Sequence, residues 1–448
     1  MTYVLSASRT HFFSERYLAF LALALAGYAL FGKGFAYLGV PPLFIGEIAL
    51  SVGIVILLRS GCLLASLATM PSFLLACTMA WVLLRTLPFI GVYGFDALRD
   101  SVVILYGGFA FIVIGALLED PQRINLALSY YGSFLKFYIP AIPFILAVNK
   151  YLVEYIPTLP WYNVPLIEIK TGEAAVHLSG AVVFVLAGFG RLTLSSVAFM
   201  VAALAMVSTG RGAFLAFAVP VFFAVIVLGK MRAFATIMAV VIPFFCAAYL
   251  IEMSSGEYRE PISSDKRPIS TRQIVDNLAS IVGHSGAQTE GTKEWRLQWW
   301  NIIIANTVLG PNFWTGRGFG LNLADADGFR DGDHPDAPAL RSPHNVHMTV
   351  LARAGVPGAV LWGLLLASWT VMLTGATLSA RHQGQKEWAG LFLFIACYVI
   401  AMIVNASFDV ALEGPMLGIW FWCLIGFGIG SVMIFRCQAM PAHRRSAT

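Results

Sequence analysis

Apolar runs close to the thickness of a bilayer recur along almost the whole chain, and one polar stretch, 252–356, interrupts the series. A helix needs about 20 apolar residues to cross the hydrocarbon core. Such a pattern therefore specifies an all-α polytopic membrane protein. Candidate spans fall at 17–32, 42–58, 62–84, 101–118, 125–149, 174–190, 192–209, 212–229, 233–251, 357–378, 388–406 and 414–435, about twelve in all. Charged residues make up 12% of the chain and hydrophobic ones 58%, against roughly a quarter charged in soluble domains. The organisation read from this is spans one to nine over 1–251, a long outer loop with short helices over 252–356, and the last three spans with a tail over 357–448.

Basic residues near span ends set the orientation. With the N-terminus inside, Arg59, Arg123, Arg191, Lys230, Arg232, Arg381 and Lys386 fall on cytoplasmic links, and Arg436, Arg444 and Arg445 on a cytoplasmic tail. Both termini are then cytoplasmic and the long loop lies outside. The net charge of +5 reflects this loop bias and not a nucleic-acid patch. Arg9 and Arg16 precede the run Tyr17–Phe31 with no small-residue cleavage site, so this run reads as a retained first span. The six cysteines lie in or beside apolar runs without CxxC spacing, which indicates neither a disulfide framework nor a metal site. A secondary transporter would place ionisable residues or broken helices at mid-membrane. These spans are nearly free of charge at their centres while polar residues gather at the outer face, a distribution that favours a surface enzyme.

The loop and the short outer links hold the candidate chemistry. Thr292 and Gly310 bracket an expected helix over 293–309, on which Arg296 shares a face with Trp299 and Trp300. There it either grips an oxyanion with its planar fork or snorkels beside an aromatic belt. Arg211, in Ser208-Thr-Gly-Arg-Gly, is an outer-side cation at the hydrocarbon boundary, either functional or an interfacial anchor. Ser342-Pro343 reads as an N-cap and first helical residue, which puts His344 in a first turn. That setting favours the neutral imidazole a general base needs, although a histidine can also simply cap a turn. Asp409, in the link between the last two spans, either orients an imidazole or acceptor hydroxyl or is a solvated loop acid. Gly316-Arg-Gly-Phe-Gly320 has no strand before it and implies no dinucleotide fold. Asp325, Asp327, Asp331, Asp333 and Asp336 lack EF-hand spacing and read as a solvated acidic turn.

Together these pieces resemble the O-antigen ligase and O-antigen polymerase superfamily of bacterial envelope enzymes. The matching elements are the Ser208 to Gly212 turn, the Arg-x-x-Trp helix at Arg296–Trp299, the Gly316–Gly318 turn, and His344-Asn345 ahead of an apolar helix with Gly355 and Gly358. The resemblance covers roughly residues 175–410, and the Arg211 turn carries one residue more than the tighter Ser-Arg-Gly form. It implies a glycosyltransferase-C-like fold in the bacterial inner membrane with the active site facing the periplasm. It also implies transfer of a glycan from undecaprenyl diphosphate to a sugar hydroxyl of lipid A–core, inverting and without metal or other cofactor. In that scheme Arg211 and Arg296 bind the donor diphosphate, His344 is the base and Asp409 its helper. Acceptor contacts fall to Arg341, Asn345, Lys266 and Arg267. A single long outer loop late in the chain resembles ligases more than polymerases.

Overall fold

The computed structural model describes residues 2–191, 193–255, 275, 287–329 and 341–444. It is mostly helical, and a helix forms within each expected apolar run. In chain order the helices that matter here are α1 (Thr2–Phe31), α2 (Ile45–Ser60), α3 (Met70–Tyr93), α4 (Phe95–Leu105), α5 (Gly108–Glu119), α6 (Arg123–Tyr151) and α7 (Thr171–Leu186). They continue as α8 (Leu194–Val207), α9 (Arg211–Val227), α10 (Met231–Ser255), α11 (Ala287–Thr307), α12 (Leu323–Asp327), α13 (Val346–His382), α14 (Lys386–Ala406) and α15 (Pro415–Arg444). Six described helices are long and apolar enough to cross a membrane, and the pair α4 and α5, bent by 42°, makes a seventh if taken as one span. The helices α7, α8 and α9 are apolar but have only 16, 14 and 17 residues. At 1.5 Å per residue they are shorter than a full hydrocarbon thickness of about 30 Å.

The dry centre is built on α14 and α15, with α5 and α7 packed against them. Close approach is made possible by small residues. A Cβ on Gly426 of α15 would lie 2.4 Å from the Ala110 carbonyl oxygen of α5, so that helix pair meets backbone to backbone. Buried indoles need an acceptor, and three in this centre find main-chain carbonyls: Trp420 Nε1 to Leu25 O (2.9 Å), Trp422 to Val103 O (3.1 Å) and Trp369 to Ile425 O (3.1 Å). Large apolar side chains such as Leu58, Leu84, Phe137, Phe144 and Val371 are exposed around the periphery. That outside-in pattern is what a hydrocarbon solvent selects, and the chain is a multi-pass membrane protein.

The described part of the polar stretch folds onto one end of the bundle. The helix expected over 293–309 begins earlier, at Ala287, and ends at Thr307. A small second core forms where Trp299 and Ile303 of α11 meet Leu323 and Ala324 of α12 and Ala352 of α13. Asp327 is a correction to the reading of a solvated acidic turn. It is buried at 2% exposure beneath this core and accepts from Trp299 Nε1 (2.8 Å) and Arg317 Nη1 (2.6 Å). The acids 331, 333 and 336 and the acceptor candidates Lys266 and Arg267 lie outside the described residues.

The α13 helix breaks at Gly355, whose φ of 72° and ψ of −175° interrupt the helical ladder, the break expected at Gly355–Gly358. The interruption frees carbonyls at the end of the short segment Val346–Ala354. Arg317 N–H donates to Ala352 O (2.8 Å), Gly318 N–H to Arg353 O (3.0 Å) and Trp81 Nε1 to Ala354 O (2.9 Å). The glycine turn 316–320 serves this purpose. Gly318 has φ 78°, and a Cβ there would meet the Phe89 ring at 1.9 Å.

Charge locks the same junction. Asp100 at the start of the bent pair receives the fully buried Arg353 (3.0 Å), Arg341 (2.9 Å) and the Gly320 N–H (3.1 Å). Removing one partner of a buried pair strands the other, at a cost of about 3–5 kcal/mol. Asp100→Ala should therefore lower the melting temperature of the detergent-purified protein by several degrees, and Asp100→Asn by less. A melting temperature unchanged by Asp100→Ala would show that the pair does not hold this junction.

Candidate active site

A cavity of about 770 Å³ opens at the end of the bundle where α7 and α9 begin and α14 ends, with α11 along one side. Its wall includes Lys170, Arg211, Arg296, Trp300, His344 and Asp409. The four residues expected to form the chemistry, Arg211, Arg296, His344 and Asp409, thus converge although the sequence spreads them over almost 200 positions. Glycines permit the convergence. A Cβ on Gly172 would lie 2.3 Å from Asn405 Oδ1, and one on Gly212 would lie 2.9 Å from Phe408 Cβ. The first turns of α7 and α9 can therefore press against the end of α14. Arg211 is the first residue of α9 after the N-cap Gly210. Two helix N-termini at one cavity add positive partial charge to that of the side chains.

Arg296 reaches across from α11, where its Nη1 donates to Phe408 O (3.0 Å) next to Asp409. Burial lowers the Arg296 guanidinium from its ordinary value, Asp409 opposes this and Arg211 adds to it. Two guanidiniums that repel each other in one cavity gain most from an anion placed between them. Asp409 Oδ1 is the meeting point of the acid–base groups: Lys170 Nζ lies at 3.2 Å, His344 Nδ1 at 3.5 Å and the Val410 N–H at 2.7 Å. Burial works to raise the Asp409 carboxyl, but His344, Lys170 and the Val410 N–H outweigh it and hold it well below the usual range. A carboxylate accepts only, so His344 Nδ1 carries hydrogen and Nε2 is left as the basic atom.

His344 itself requires a correction. It was expected in the first turn of a helix, yet it precedes the helix, with a left-handed φ of 53°. Asn345 takes the cap instead, its Oδ1 accepting from His347 N (2.9 Å) and Met348 N (3.2 Å). Ser342 Oγ is drawn away to Glu413 Oε1 (2.8 Å), which also accepts from Thr349 Oγ1 (2.8 Å). The unusual backbone at His344 is pinned from the preceding residue, where Trp300 Nε1 donates to Pro343 O (2.9 Å). Neither Asn345 nor Arg341 lines the cavity, Asn345 because it caps α13 and Arg341 because it is tied to Asp96 (3.2 Å) and Asp100. His347, one turn on, accepts at Nδ1 from Trp362 Nε1 (3.0 Å), a packing role.

Lys170 was missed by sequence reasoning. It lies in the link before α7 with no local motif to mark it. Its one signal is a cation next to an apolar run on the outer side, the same signal that singled out Arg211. Burial opposes the Lys170 charge, but Asp409 and Glu173 override it and keep the ammonium above its ordinary value.

Residues 194–363 match the family model described as O-antigen ligase. No curated protein matches the chain. The matched stretch contains Arg211, Arg296 and His344, while Lys170 and Asp409 lie on either side of it.

Three cations and one carboxylate leave the described cavity wall with a net charge of +2, aside from His344, which suits a diphosphate. Inorganic pyrophosphate should therefore raise the melting temperature of the purified protein. The expected gain is about 1.4 kcal/mol at tenfold excess over Kd, and it should shrink with salt. An equal shift in a variant carrying Arg211→Gln and Arg296→Gln would place anion binding elsewhere.

Proposed function

We propose that the protein, a member of the O-antigen ligase/polymerase superfamily through residues 194–363, is an O-antigen ligase. The reaction is transfer of a glycan from undecaprenyl diphosphate to a sugar hydroxyl of lipid A–core. The observation that carries this reading is the single cavity in which Arg211 and Arg296 stand beside His344 and Asp409. The guanidiniums grip the donor diphosphate in its ground state and meet the charge that develops as the glycosidic C–O bond breaks. His344 Nε2 removes the acceptor hydroxyl proton as that oxygen attacks the anomeric carbon from the opposite face, which inverts the centre. Asp409 keeps the imidazole in the tautomer that leaves Nε2 basic. Fixed cations supply the electrostatic stabilisation, so the reaction runs without metal.

The cavity faces the periplasm in this reading. Lys230 Nζ donates to Leu186 O (2.9 Å) and Arg381 Nη2 to Val227 O (2.6 Å). These cations therefore sit at the far ends of α7 and α9 from the cavity, where the positive-inside rule puts the cytoplasm. Twelve crossings with both termini cytoplasmic follow if the bent pair α4 and α5 makes one span and α2, α7, α8, α9 and α10 each traverse beside the six long helices. Ligase is preferred to polymerase because the outer content is concentrated in one long loop late in the chain.

Transfer between lipid-linked glycan and lipid A–core by the purified protein should persist in chelator. His344→Ala should lower its rate by about a hundredfold or more, and in cells long-chain lipopolysaccharide should vanish from gels while lipid-linked glycan accumulates. Normal ladders in that variant would remove His344 from the mechanism. Arg211→Lys keeps the charge but loses the bidentate fork, so it should fail as well; full activity would reduce Arg211 to an anchor.

A further inference from the structure

We propose that Lys170 is a third cation of the diphosphate site, held in reserve by Asp409 and released to the leaving group when His344 takes the acceptor's proton. The inference rests on the ligase reading above. Three donors converge on one oxygen, Asp409 Oδ1: the Val410 N–H at 2.7 Å, Lys170 Nζ at 3.2 Å and His344 Nδ1 at 3.5 Å. A carboxylate oxygen offers about two lone-pair positions, so the three cannot all bind at full strength. In the resting site the loosest of them is the neutral imidazole.

Chemistry reverses that order. The acceptor O–H bond breaks, its proton goes to His344 Nε2, and its oxygen forms the new bond to the anomeric carbon. The electron pair of the old C–O bond goes to the diphosphate oxygen. His344 gains one positive charge and the lipid diphosphate one negative charge. An imidazolium makes a charge-assisted bond to Asp409, stronger than that of a neutral ring. It displaces Lys170 from Oδ1 just as a diphosphate that carried two charges as a diester acquires a third.

The surroundings allow the ammonium to move. The Lys170 side chain is about half exposed and lines the same cavity as Arg211 and Arg296. Glu168 is shared with Lys33, whose Nζ lies 3.5 Å from that carboxylate, and attracts Lys170 less than Asp409 or Glu173 does. The buried Glu173, one turn into α7, accepts from the Lys170 backbone N–H (3.4 Å) and attracts the ammonium less than Asp409 does. The charged groups that face the His344–Asp409 pair are therefore Lys170 and Glu173 from the α7 end, Arg211 from α9 and Arg296 from α11.

The test uses the full-length protein in nanodiscs with lipid-linked glycan and lipid A–core, comparing Lys170→Met, Lys170→Gln and Lys170→Arg with His344→Ala. Lys170→Met should lower kcat tenfold or more while the donor KM changes less than threefold, and Lys170→Arg should recover most of kcat. Lys170→Gln should behave alike and replaces the Met variant if that one does not accumulate. Unchanged kcat in these variants, or no recovery in Lys170→Arg, with His344→Ala inactive, would overturn the inference and leave the ligase reading standing. A loss confined to KM would overturn it too. Activity in His344→Ala would instead remove the ligase reading itself.

Discussion

A helix that breaks in water-poor surroundings must find donors for the carbonyls it frees, and the break at Gly355 sets this requirement at the junction of bundle and outer segment. The donors are the main-chain N–H groups of Arg317 and Gly318 and the Trp81 indole. Each lost backbone partner in such a place would cost about 1–3 kcal/mol, so the turn 313–320 is bound to the helix end by necessity. That single attachment orders the rest. It brings Gly320 and Arg341 onto Asp100, sets α12 against α11, and ends the strand of connections at His344. Arg353 joins the bonding scheme and the charge scheme, donating through one side-chain nitrogen to Leu321 O (3.0 Å) while paired to Asp100.

Above this anchored junction the site is governed by competition between like charges. Lys170, Arg211 and Arg296 are brought to one cavity wall beside Asp409. Cations crowded in this way favour an anion placed between them, as the diphosphate of the proposed reaction would be. Burial strengthens both sides of that balance, because fewer waters screen the groups. The Glu413 carboxyl, buried one step away and raised for that reason despite hydroxyl bonds from Thr349 and Ser342 and the nearby Arg353, stays behind the site. It holds Ser342 and Thr349 in place on either side of the His344–Asn345 cap.

Much of this was legible in the sequence, for identifiable reasons. Apolar length reported the helices, since a bilayer fixes that length. Arg211 and Asp409 announced themselves as charges where hydrocarbon makes charge expensive, and Gly355 as a break ahead of a long apolar run. What failed was local competition. Ser342-Pro343-His344-Asn345 offers two cap residues, and sequence favoured Ser342 because Pro follows it. Asn345 won because Glu413, 71 positions away, takes the Ser342 hydroxyl. Asp327 looked solvated because its partners, Trp299 and Arg317, approach it only through tertiary packing. Asp100, Arg353 and Glu413 were invisible for the same reason: a buried ion pair carries no signature until both partners are placed.

The sequence divides the chemistry between the long loop and the short outer links, and the geometry adds Lys170 to the links. The loop contributes Arg296 and His344, while Lys170, Arg211 and Asp409 come from links at the ends of bundle helices. The backbone at these helix ends is placed by the packing of α7, α9 and α14, which is dry and close. Groups on the loop are placed by the Gly355 junction and by Trp300 on Pro343. In the proposed reaction both origins serve the lipid diphosphate: the ends of bundle helices supply Arg211 and Lys170, and the loop supplies Arg296 and the base His344.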